Sequence, residues 1–392
     1  MRVSRADRSR IAEWWFTVDH VLLGAILAIV GAGLVFSLAA SPAVAIRKGL
    51  PTYYFVERHF LFSIAGVLIM LFVSLLSPRA VRRFALILFA AAVAGMIAVH
   101  FVGPPINGAR RWLSLGGHSF QPSEFAKPAF VILAAWLFAE SQARKDMPAL
   151  SLSVLMAALL ATLLLSEPDV GQTLLISIVW GSLFFLSGQP LLGAGAVFMC
   201  GALGFAYVYS TFDHVRMRVD TFLSSAPNDN SQVDRAMKSF SEGGFLGRGP
   251  GEGTIKTALP DAHTDFIFAV IAEEYGVVAC LVLLGLFAFV VMRALVKAAQ
   301  EPEPATRLAI QGLALMFGLQ ALINMGVNVG LLPAKGITLP FISSGGSSML
   351  AVSITLGMLL ALTRRRPDVT RLRKPQVLSN LARLEPAGSA RK

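Results

Sequence analysis

Long apolar segments alternate with short polar segments along nearly the whole chain. Runs of about 20 residues with few charges recur, and a helix of that length crosses the hydrocarbon core of a bilayer. Ten such spans are predicted, at residues 21–40, 60–77, 84–102, 124–140, 150–166, 171–187, 191–210, 265–296, 305–330 and 346–363. The pattern therefore predicts an all-α polytopic membrane protein with ten transmembrane helices.

The composition agrees with this fold class. Hydrophobic residues make up 55% of the 392 residues, charged residues only 15%, and the mean hydropathy is +0.66. A soluble enzyme could not leave so much apolar surface in water, and a disordered chain would be far more polar. The two cysteines, Cys200 and Cys280, lie inside apolar segments, so we expect no disulfide framework.

The basic residues predict the sidedness of the chain. Arginines cluster in the N-terminal tail, in the loop after the second span and directly after the last span, and such clusters stay on the cytoplasmic side. An even number of spans places both termini there. We therefore expect a cytoplasmic tail at 1–20, a retained first span rather than a signal peptide, a membrane domain at 21–366, and a disordered cytoplasmic tail at 367–392.

Most of the unusual polar sequence falls in loops that this topology places outside. These outer loops are 41–59, 103–123, 167–170, 211–264 and 331–345. The large loop between spans seven and eight is too long for a connector, and residues 212–223 have the spacing of an amphipathic surface helix. Its glycine-rich part lacks the spacing of nucleotide loops, so we expect no nucleotide cofactor and a function at the outer face.

Paired arginines in the second outer loop are candidates for anion binding. Arg110 and Arg111 directly precede Trp112. Two guanidinium groups at a membrane surface are suited to bidentate capture of a phosphate or pyrophosphate. They are equally suited to anchoring the loop among lipid headgroups. The spacing alone leaves both interpretations open.

Two further pairs of charged residues lie near predicted helix starts. Glu124 and Lys127 are three residues apart, so they could form an ion pair, or Lys127 could face a polar cavity. Glu167 and Asp169 flank Pro168 in an acidic turn. Such a turn could hold a divalent cation with phosphate oxygens, or it could simply cap the next helix.

The eighth span begins at Asp265. Capping is a common role for an aspartate at a helix start. Glu273 and Glu274 lie two turns deeper, where carboxylates usually face a partner or a wet cavity. The 32 residues of this span would extend roughly 48 Å as one helix, more than a bilayer core, so its ends must project or it must tilt.

The loop 331–345 resembles a re-entrant segment, whose irregular backbone must line a protein or aqueous cavity. It contains Lys335, Ser343 and Ser344. Either serine together with His263 would suggest an intramembrane serine protease. Nothing in the spacing fixes such a pair, and the flanking lysines and arginines favour an anionic ligand.

Five motifs resemble those of one known family. They are NGARRW, QPSEFAK, EPDVGQT, HTDFIFAVIAEEYG and PAKGITLPFISSGGSS, in this order between these spans. Together they resemble the SEDS family, which includes FtsW, RodA and SpoVE, over residues 15–366. The wording LPDAHTDFIF and the arginine-rich N-terminal tail are more similar to the cell-division branch, FtsW, than to the elongation branch, RodA. One departure is the segment from Phe341 to Ser344, where many relatives carry an aromatic residue just before the glycine pair.

The resemblance implies an enzyme of the bacterial cell wall. It implies a peptidoglycan glycosyltransferase that polymerises lipid II into glycan strands at the outer, periplasmic face of the cytoplasmic (inner) membrane. The implied partner is a class B penicillin-binding protein, and in the division branch other divisome membrane proteins join it at the septum. No nucleic acid partner is expected. The resemblance also maps the family's essential acidic residue onto Asp265.

With this function, Asp265 is the predicted catalytic residue, a base that accepts or orients the proton of the attacking sugar hydroxyl. A divalent cation, magnesium or manganese, is predicted near Asp265 or Asp169. The predicted substrate-binding residues are Arg110, Arg111, Glu124, Lys127, Arg216, Arg218, His263, Lys335, Ser343 and Ser344.

Three alternatives stay open at this point. A transporter could flip the same lipid along a charged path of Glu273, Glu274 and Lys127, although the polar motifs gather on one face rather than at the midplane. A non-catalytic scaffold could merely activate the penicillin-binding partner, which leaves the clustered cations unexplained. An elongation-type polymerase would perform the same chemistry in a different process.

Overall fold

The protein, described here by a computed structural model, is almost entirely helical. The structure describes residues 9–105, 109–115, 118–144, 146–211, 216–217, 220, 232–259, 261–333 and 336–365. Its helices are α1 (Arg10–Thr17), α2 (His20–Arg47), α3 (Tyr54–Ser74), α4 (Pro78–Val102), α5 (Pro122–Ala143), α6 (Ala149–Ser166), α7 (Val170–Leu186), α8 (Leu191–Thr211), α9 (Gln232–Gly243), α10 (Ile267–Ala299), α11 (Pro304–Asn328) and α12 (Gly346–Thr363). A short antiparallel hairpin, β1 (Leu113–Leu115) and β2 (His118–Phe120), precedes α5.

The predicted spans correspond to helices. Within the described residues, seven helices are long and apolar enough to cross a membrane: α2, α3, α4, α6, α10, α11 and α12. The remaining three predicted spans coincide with α5, α7 and α8. The predicted outer loop 41–59 was wrong in extent. Because α2 continues to Arg47 and α3 begins at Tyr54, only residues 48–53 connect them.

Three helices form the centre of the bundle. In its most apolar window α12 is 89% buried and α11 72%, whereas α3 and α4 are each 28% buried. Helix α5 is buried at nearly every position from Pro122 to Phe138. Helix α12 packs against α3, and α5 packs against both α4 and α11. The surrounding helices keep their apolar side chains on the outside, as a surface in contact with lipid requires.

Helix α10 is broken near its N-terminal end. Gly276 has φ +79° and ψ 175°, which divides the helix into a short segment, 267–275, and a longer segment, 277–299. A side chain at Gly276 would lie within 2.2 Å of the Phe245 carbonyl oxygen, so only glycine fits there. The longer segment is roughly 34 Å long, enough to span. The excess length predicted for this span is therefore taken up by a break.

Glu273 and Glu274 lie in the short segment of α10 and bind the loop that precedes it. The Glu273 carboxylate accepts hydrogen bonds from the backbone N–H groups of Thr254 (2.6 Å), Ile255 (2.8 Å) and Lys256 (3.1 Å). Glu274 pairs with the buried Lys256 ammonium. The two carboxylates thus face partners in the protein rather than a wet cavity, and they hold the chain that leads to Asp265.

The two ends of the membrane domain meet on one side. The backbone N–H of Arg365 donates to the Thr17 carbonyl (3.0 Å), and Nε of Arg364 donates to the Thr17 hydroxyl (2.9 Å). At the same end Asp19 forms ion pairs with Arg293 (3.0 Å) and Lys297 (3.2 Å). The N-terminal end of the first span and the C-terminal end of the last span therefore lie on the same side, as an even number of spans requires.

Replacing Glu273 by alanine should destabilise the protein, because three backbone N–H groups would lose their acceptor. A stranded buried donor costs about 1–3 kcal/mol. Thermal unfolding of the detergent-solubilised variant should show a clear fall in midpoint. The control is Glu252→Ala, an exposed position in the same loop. Equal midpoints for the two variants would show that the Glu273 contacts carry no stability.

Candidate functional site

Asp265 lies in the turn 261–266 that leads into α10. Its backbone carbonyl accepts two hydrogen bonds from α11, from Asn324 Nδ2 at 3.0 Å and Asn328 Nδ2 at 2.9 Å. The side chain is half-buried, and a Cβ added to Gly336 would lie 3.6 Å from its Oδ2 atom. Side chains of the central helix therefore fix Asp265 in position beside the loop 336–345.

A row of amide side chains on α11 holds two irregular segments together. Asn328 Oδ1 also accepts the N–H of Ala269 (3.0 Å), and Asn324 Nδ2 also donates to the Ile337 carbonyl (2.7 Å). One turn further along, Gln320 Nε2 donates to the carbonyl of Thr338 (3.2 Å). The sequence analysis missed this row. The row could have been predicted from the sequence, which places three amides four residues apart inside an apolar span, where unpaired polar groups are costly.

The loop 336–345 is bound to the turn that carries Asp265. The Ser343 hydroxyl donates to the Thr264 carbonyl (2.6 Å), and the N–H of Ser344 donates to the His263 carbonyl (2.9 Å). Asp265, His263, Ser343 and Ser344, which the sequence analysis selected, are thus brought together. The buried Nδ1 of His263 and the Ser344 hydroxyl make no hydrogen bond. A serine–histidine nucleophile is therefore absent from these described residues.

Glu124 and Lys127 form a buried ion pair, with Nζ and Oε2 2.9 Å apart. The other oxygen of Glu124 accepts a hydrogen bond from Gln172 Nε2 at 2.6 Å. Both charged side chains lie at the start of α5, with 3% and 8% of their surface exposed. The pair joins α5 to α7, which is the structural alternative that the sequence left open for these residues.

Arg111 is held by the acidic turn between α6 and α7. Its Nε donates to the Glu167 carbonyl (2.7 Å), its Nη2 donates to the Pro168 carbonyl (2.5 Å), and its Nη1 lies 3.9 Å from Asp169 Oδ2. Arg110, in contrast, is exposed and donates to the carbonyl of His100 (3.0 Å). The two neighbouring arginines therefore do not form one bidentate clamp.

The two groups of polar residues meet at the first turn of α12. Gln121 Nε2 contacts Asp169 Oδ2 (3.5 Å), and the Gln121 N–H donates to the Ser347 hydroxyl (3.1 Å). The Ser347 hydroxyl donates to the Ser119 carbonyl (3.2 Å). Gln121 thus connects the cluster around Asp169 and Glu124 to the end of the loop that holds Asp265.

Glu167 is fully buried, and neither of its carboxylate oxygens has a hydrogen-bond partner. Burial, followed by repulsion from Asp169, raises the pKa of Glu167 to about 8. Burial also raises the pKa of the Asp169 carboxyl, against the attraction of Arg111. The turn therefore carries less negative charge at neutral pH than its sequence indicates.

Asp169 does not fit a cation site. Its carboxylate is approached by the Arg111 guanidinium and the Gln121 amide, and it caps α7 by accepting the N–H of Gln172 (3.2 Å). All three are donors. No group of three or more metal-binding side chains occurs among the residues that the structure describes. A divalent cation at Asp265 stays a prediction.

One further predicted residue, Arg216, is not brought to this site. Arg216 is exposed and pairs with Asp220 at 3.7 Å. Arg218 and Lys335 lie outside the described residues. The same holds for most of the amphipathic helix predicted at 212–223, of which only 216–217 and 220 are described, in helical conformation.

Arg47 and Lys48, at the C-terminal end of α2, were not among the predicted site residues. Arg47 Nη1 donates to the carbonyls of Thr257 and Leu259, both at 3.1 Å, which ties α2 to the chain leading to Asp265. Burial, together with Lys48 and Arg47, lowers the pKa of His263 to about 4, so its ring is neutral at neutral pH. The signal was available, because basic residues in an outer loop run against the positive-inside rule.

Comparison with known proteins identifies the family. The profile for FtsW, RodA and SpoVE, described as "Cell cycle protein", matches residues 20–367. The chain belongs to the SEDS family. A protein of Caulobacter vibrioides named "Probable peptidoglycan glycosyltransferase FtsW" is 47% identical over 93% of this chain and 94% of its own length. A protein of Trichlorobacter lovleyi with the same name is 33% identical, over 90% of this chain and 93% of its own.

Solved structures share the SEDS fold. A chain from "Structural coordination of polymerization and crosslinking by a peptidoglycan synthase complex" is 30% identical, with a TM-score of 0.74 over 88% of this chain and 97% of its own. The crystal structure of the Thermus thermophilus rod shape determining protein RodA is 28% identical, with a TM-score of 0.64 over 89% and 97%. The resemblance inferred from the five motifs is thereby confirmed.

Replacing Glu167 by glutamine should stabilise the protein in a pH-dependent way. Because the folded-state pKa, about 8, exceeds the ordinary value of 4.5, the wild type loses stability as the pH rises from about 5 to about 8. The unfolding midpoint of Glu167→Gln should therefore exceed that of wild type by a margin that grows over this range. Glu57→Gln, at an exposed position, is the control. A constant margin would contradict the raised pKa.

Proposed function

We propose that this chain is a peptidoglycan glycosyltransferase of the division branch, which polymerises lipid II at the outer face of the cytoplasmic membrane. The names of its SEDS relatives support the activity and the branch. The observation that carries the proposal is the placement of Asp265, a carboxylate whose backbone is fixed by Asn324 and Asn328 and which borders the loop 336–345.

Polymerisation requires the 4-hydroxyl of one sugar to attack the anomeric carbon of another. Asp265 accepts the hydroxyl proton as the new glycosidic bond forms. The bond from the anomeric carbon to the diphosphate breaks, and its electron pair leaves with the polyprenyl diphosphate. A base held at a fixed position favours this step, because the reacting atoms must approach within a few ångströms in one geometry.

The buried cations near the site serve mainly as structure in this proposal. Lys127 is neutralised by Glu124, and Arg111 donates to two backbone carbonyls of the turn 167–169. They support the site by fixing α5, α7 and the hairpin against each other. Arg110 is exposed and is available to a headgroup from solvent. The predicted roles of Arg218 and Lys335 in substrate binding stay predictions, and so does a magnesium or manganese ion at Asp265.

The topology belongs to the same proposal. The proposed ten spans are the seven long apolar helices together with α5, α7 and α8. With ten spans both ends of the bundle lie on one side, in agreement with the hydrogen bond between Arg365 and Thr17. The arginine clusters make that side cytoplasmic. The site at the opposite ends of α3, α10 and α12 then faces the periplasm, and the large loop 211–264 is extracytoplasmic. The tail 367–392 remains in the cytoplasm.

The proposed partner is a class B penicillin-binding protein. The similar chain of known structure comes from a peptidoglycan synthase complex of polymerisation and crosslinking, which supports pairing with a transpeptidase. A polymerase that acts outside the membrane needs such an enzyme beside it to crosslink its product. For a division enzyme we expect other divisome membrane proteins at the septum as further partners.

No observation in the described residues favours a lipid flippase. The charges considered for a path across the bilayer are engaged elsewhere: Glu273 with three backbone N–H groups, Glu274 with Lys256, and Lys127 with Glu124. Fixed pairs of this kind do not form the alternating midplane site that a transporter requires. The elongation branch shares the chemistry and differs only in the process it serves.

Asp265→Asn should abolish glycan synthesis. The purified protein with its cognate class B partner, transpeptidation blocked, should polymerise labelled lipid II, and the variant should be slower by at least about 100-fold because it lacks the base. Asp261→Asn, in the same turn, is the matched control and should retain activity. Gel separation of the glycan chains measures the product.

Two outcomes of this experiment would contradict the proposal. A folded Asp265→Asn protein that polymerises at the wild-type rate would remove Asp265 from the chemistry. Absence of polymer from wild type, together with movement of lipid II across vesicle membranes, would replace the polymerase by a flippase. Depletion in cells tests the process: filaments indicate division, and rounded cells indicate elongation.

A further inference from the structure

A cavity of about 150 Å³ lies at the outer end of the bundle, next to the turn that carries Asp265. It is open on one side and is lined by α3, by the first turn of α12 and by the end of the loop 336–345. The lining side chains used below are Arg58, His59, Phe62, His263, Ser344 and Met349. The sequence analysis selected His263 and Ser344 but gave no role to Arg58 or His59.

Three lining side chains, those of His59, His263 and Ser344, have buried polar atoms with no hydrogen-bond partner. His263 is 6% exposed and its Nδ1 atom makes no hydrogen bond, and the Ser344 hydroxyl oxygen is buried and equally without a partner. An unpaired buried polar group costs about 1–3 kcal/mol. Both backbones are nevertheless fixed by the hydrogen bond from Ser344 N–H to the His263 carbonyl (2.9 Å). Two polar groups held beside a cavity in this way are arranged for a ligand.

Arg58 brings a positive charge to the same cavity. Its Nη1 donates to the Tyr54 hydroxyl (3.0 Å), and its guanidinium carbon lies 5.6 Å from the Tyr54 ring centre and 6.0 Å from that of Phe62. No carboxylate among the described residues lies within 4.0 Å of this guanidinium. The aromatic rings orient the Arg58 side chain, and its positive charge can bind an anion in the cavity.

The surroundings also favour an anion over a neutral sugar. Lys48 and Arg47 lie near enough to His263 to act on its charge, and Lys48 Nζ is 5.4 Å from the Phe55 ring that packs on His263. Besides Arg58 in the cavity wall, two further cations therefore act on a residue of that wall. A neutral imidazole and a hydroxyl add hydrogen-bond donors that suit phosphate oxygens.

The position of the cavity suits a lipid-linked anion. It lies between two spans, with Phe62 of α3 and Met349 of α12 in its wall. On the same helix as Arg58, the side chains of Phe60, Leu61 and Ile64 are exposed on the bundle surface. A polyprenyl chain can therefore stay in the bilayer beside α3 while its headgroup enters from the side.

We propose that this cavity binds the diphosphate of the polyprenyl-linked sugar donor, with Arg58 as its principal cation and His263 and Ser344 as hydrogen-bond donors. The inference rests on the proposed polymerase function. It assigns the donor diphosphate to the α3 side of the turn 261–266, and the acceptor hydroxyl to Asp265. When the anomeric C–O bond breaks, the electron pair passes to a diphosphate oxygen, whose growing charge Arg58 stabilises.

The test compares two ligands with the same polyprenyl chain, of which only one carries a diphosphate. Binding of labelled undecaprenyl diphosphate and of undecaprenol to the purified full-length protein in nanodiscs is measured for wild type and variants. Wild type should prefer the diphosphate by at least about tenfold. Arg58→Met should lose about tenfold in affinity for the diphosphate with no change for the alcohol, and Arg58→Lys should fall between the two because it keeps the charge but not the fork. Arg79→Met, an exposed arginine on α4, is the control and should bind as wild type.

Polymerisation assays separate this inference from the proposed function. Arg58→Met should raise the KM for lipid II by about tenfold and also lower kcat, since Arg58 contributes both to binding and to stabilising the departing diphosphate. Wild-type binding and wild-type KM in Arg58→Met would overturn the diphosphate site while leaving the polymerase intact. Wild type that binds the diphosphate selectively but makes no polymer would contradict the polymerase instead. If thermal unfolding shows that Arg58→Met is not folded, the binding measurement is made with Arg58→Lys and Ser344→Ala instead. Wild-type affinity for the diphosphate in both variants would overturn the site.

Discussion

The two amide hydrogen bonds from α11 to the carbonyl of Asp265 support the rest of the site. A chain that leaves helical conformation at the edge of a bilayer must satisfy its backbone groups within the protein. The turn 261–266 and the loop 336–345 both do so through Asn324, Asn328 and Gln320. These amides project from a central, largely buried helix. The irregular segments are therefore held in fixed positions by that helix.

The same constraint explains the buried charges around the site. Glu273 satisfies three backbone N–H groups of the preceding loop, and Lys256 neutralises Glu274. The break at Gly276 makes this possible, since it allows a short helical segment to lie within the protein while the remainder of α10 spans the membrane. Charged residues inside membrane proteins are often taken as transport paths. Here they hold the turn that carries Asp265.

In the proposed reaction the site is divided between two tasks. One side of the turn presents Asp265 toward the loop 336–345, and the other presents His263 and Ser344 toward a cavity with Arg58. A reaction that joins two sugars needs such a division, because the acceptor hydroxyl requires a base and the departing diphosphate requires positive charge. The buried cluster of Glu124, Lys127 and Asp169 supports both sides through Gln121.

The sequence by itself determined the helical membrane fold and the approximate positions of the apolar helices, and its motifs led to the prediction for Asp265, since apolar length and local motifs are properties of neighbouring residues. It also allowed the Glu124–Lys127 pair, three residues apart on one helix. Only the tertiary structure decided that Arg111 binds the turn 167–169 and that Glu273 accepts hydrogen bonds from the preceding loop. It also decided that Arg58 and His263 line the same cavity. These contacts join segments far apart in the chain, and their geometry depends on how helices pack, which no local pattern specifies.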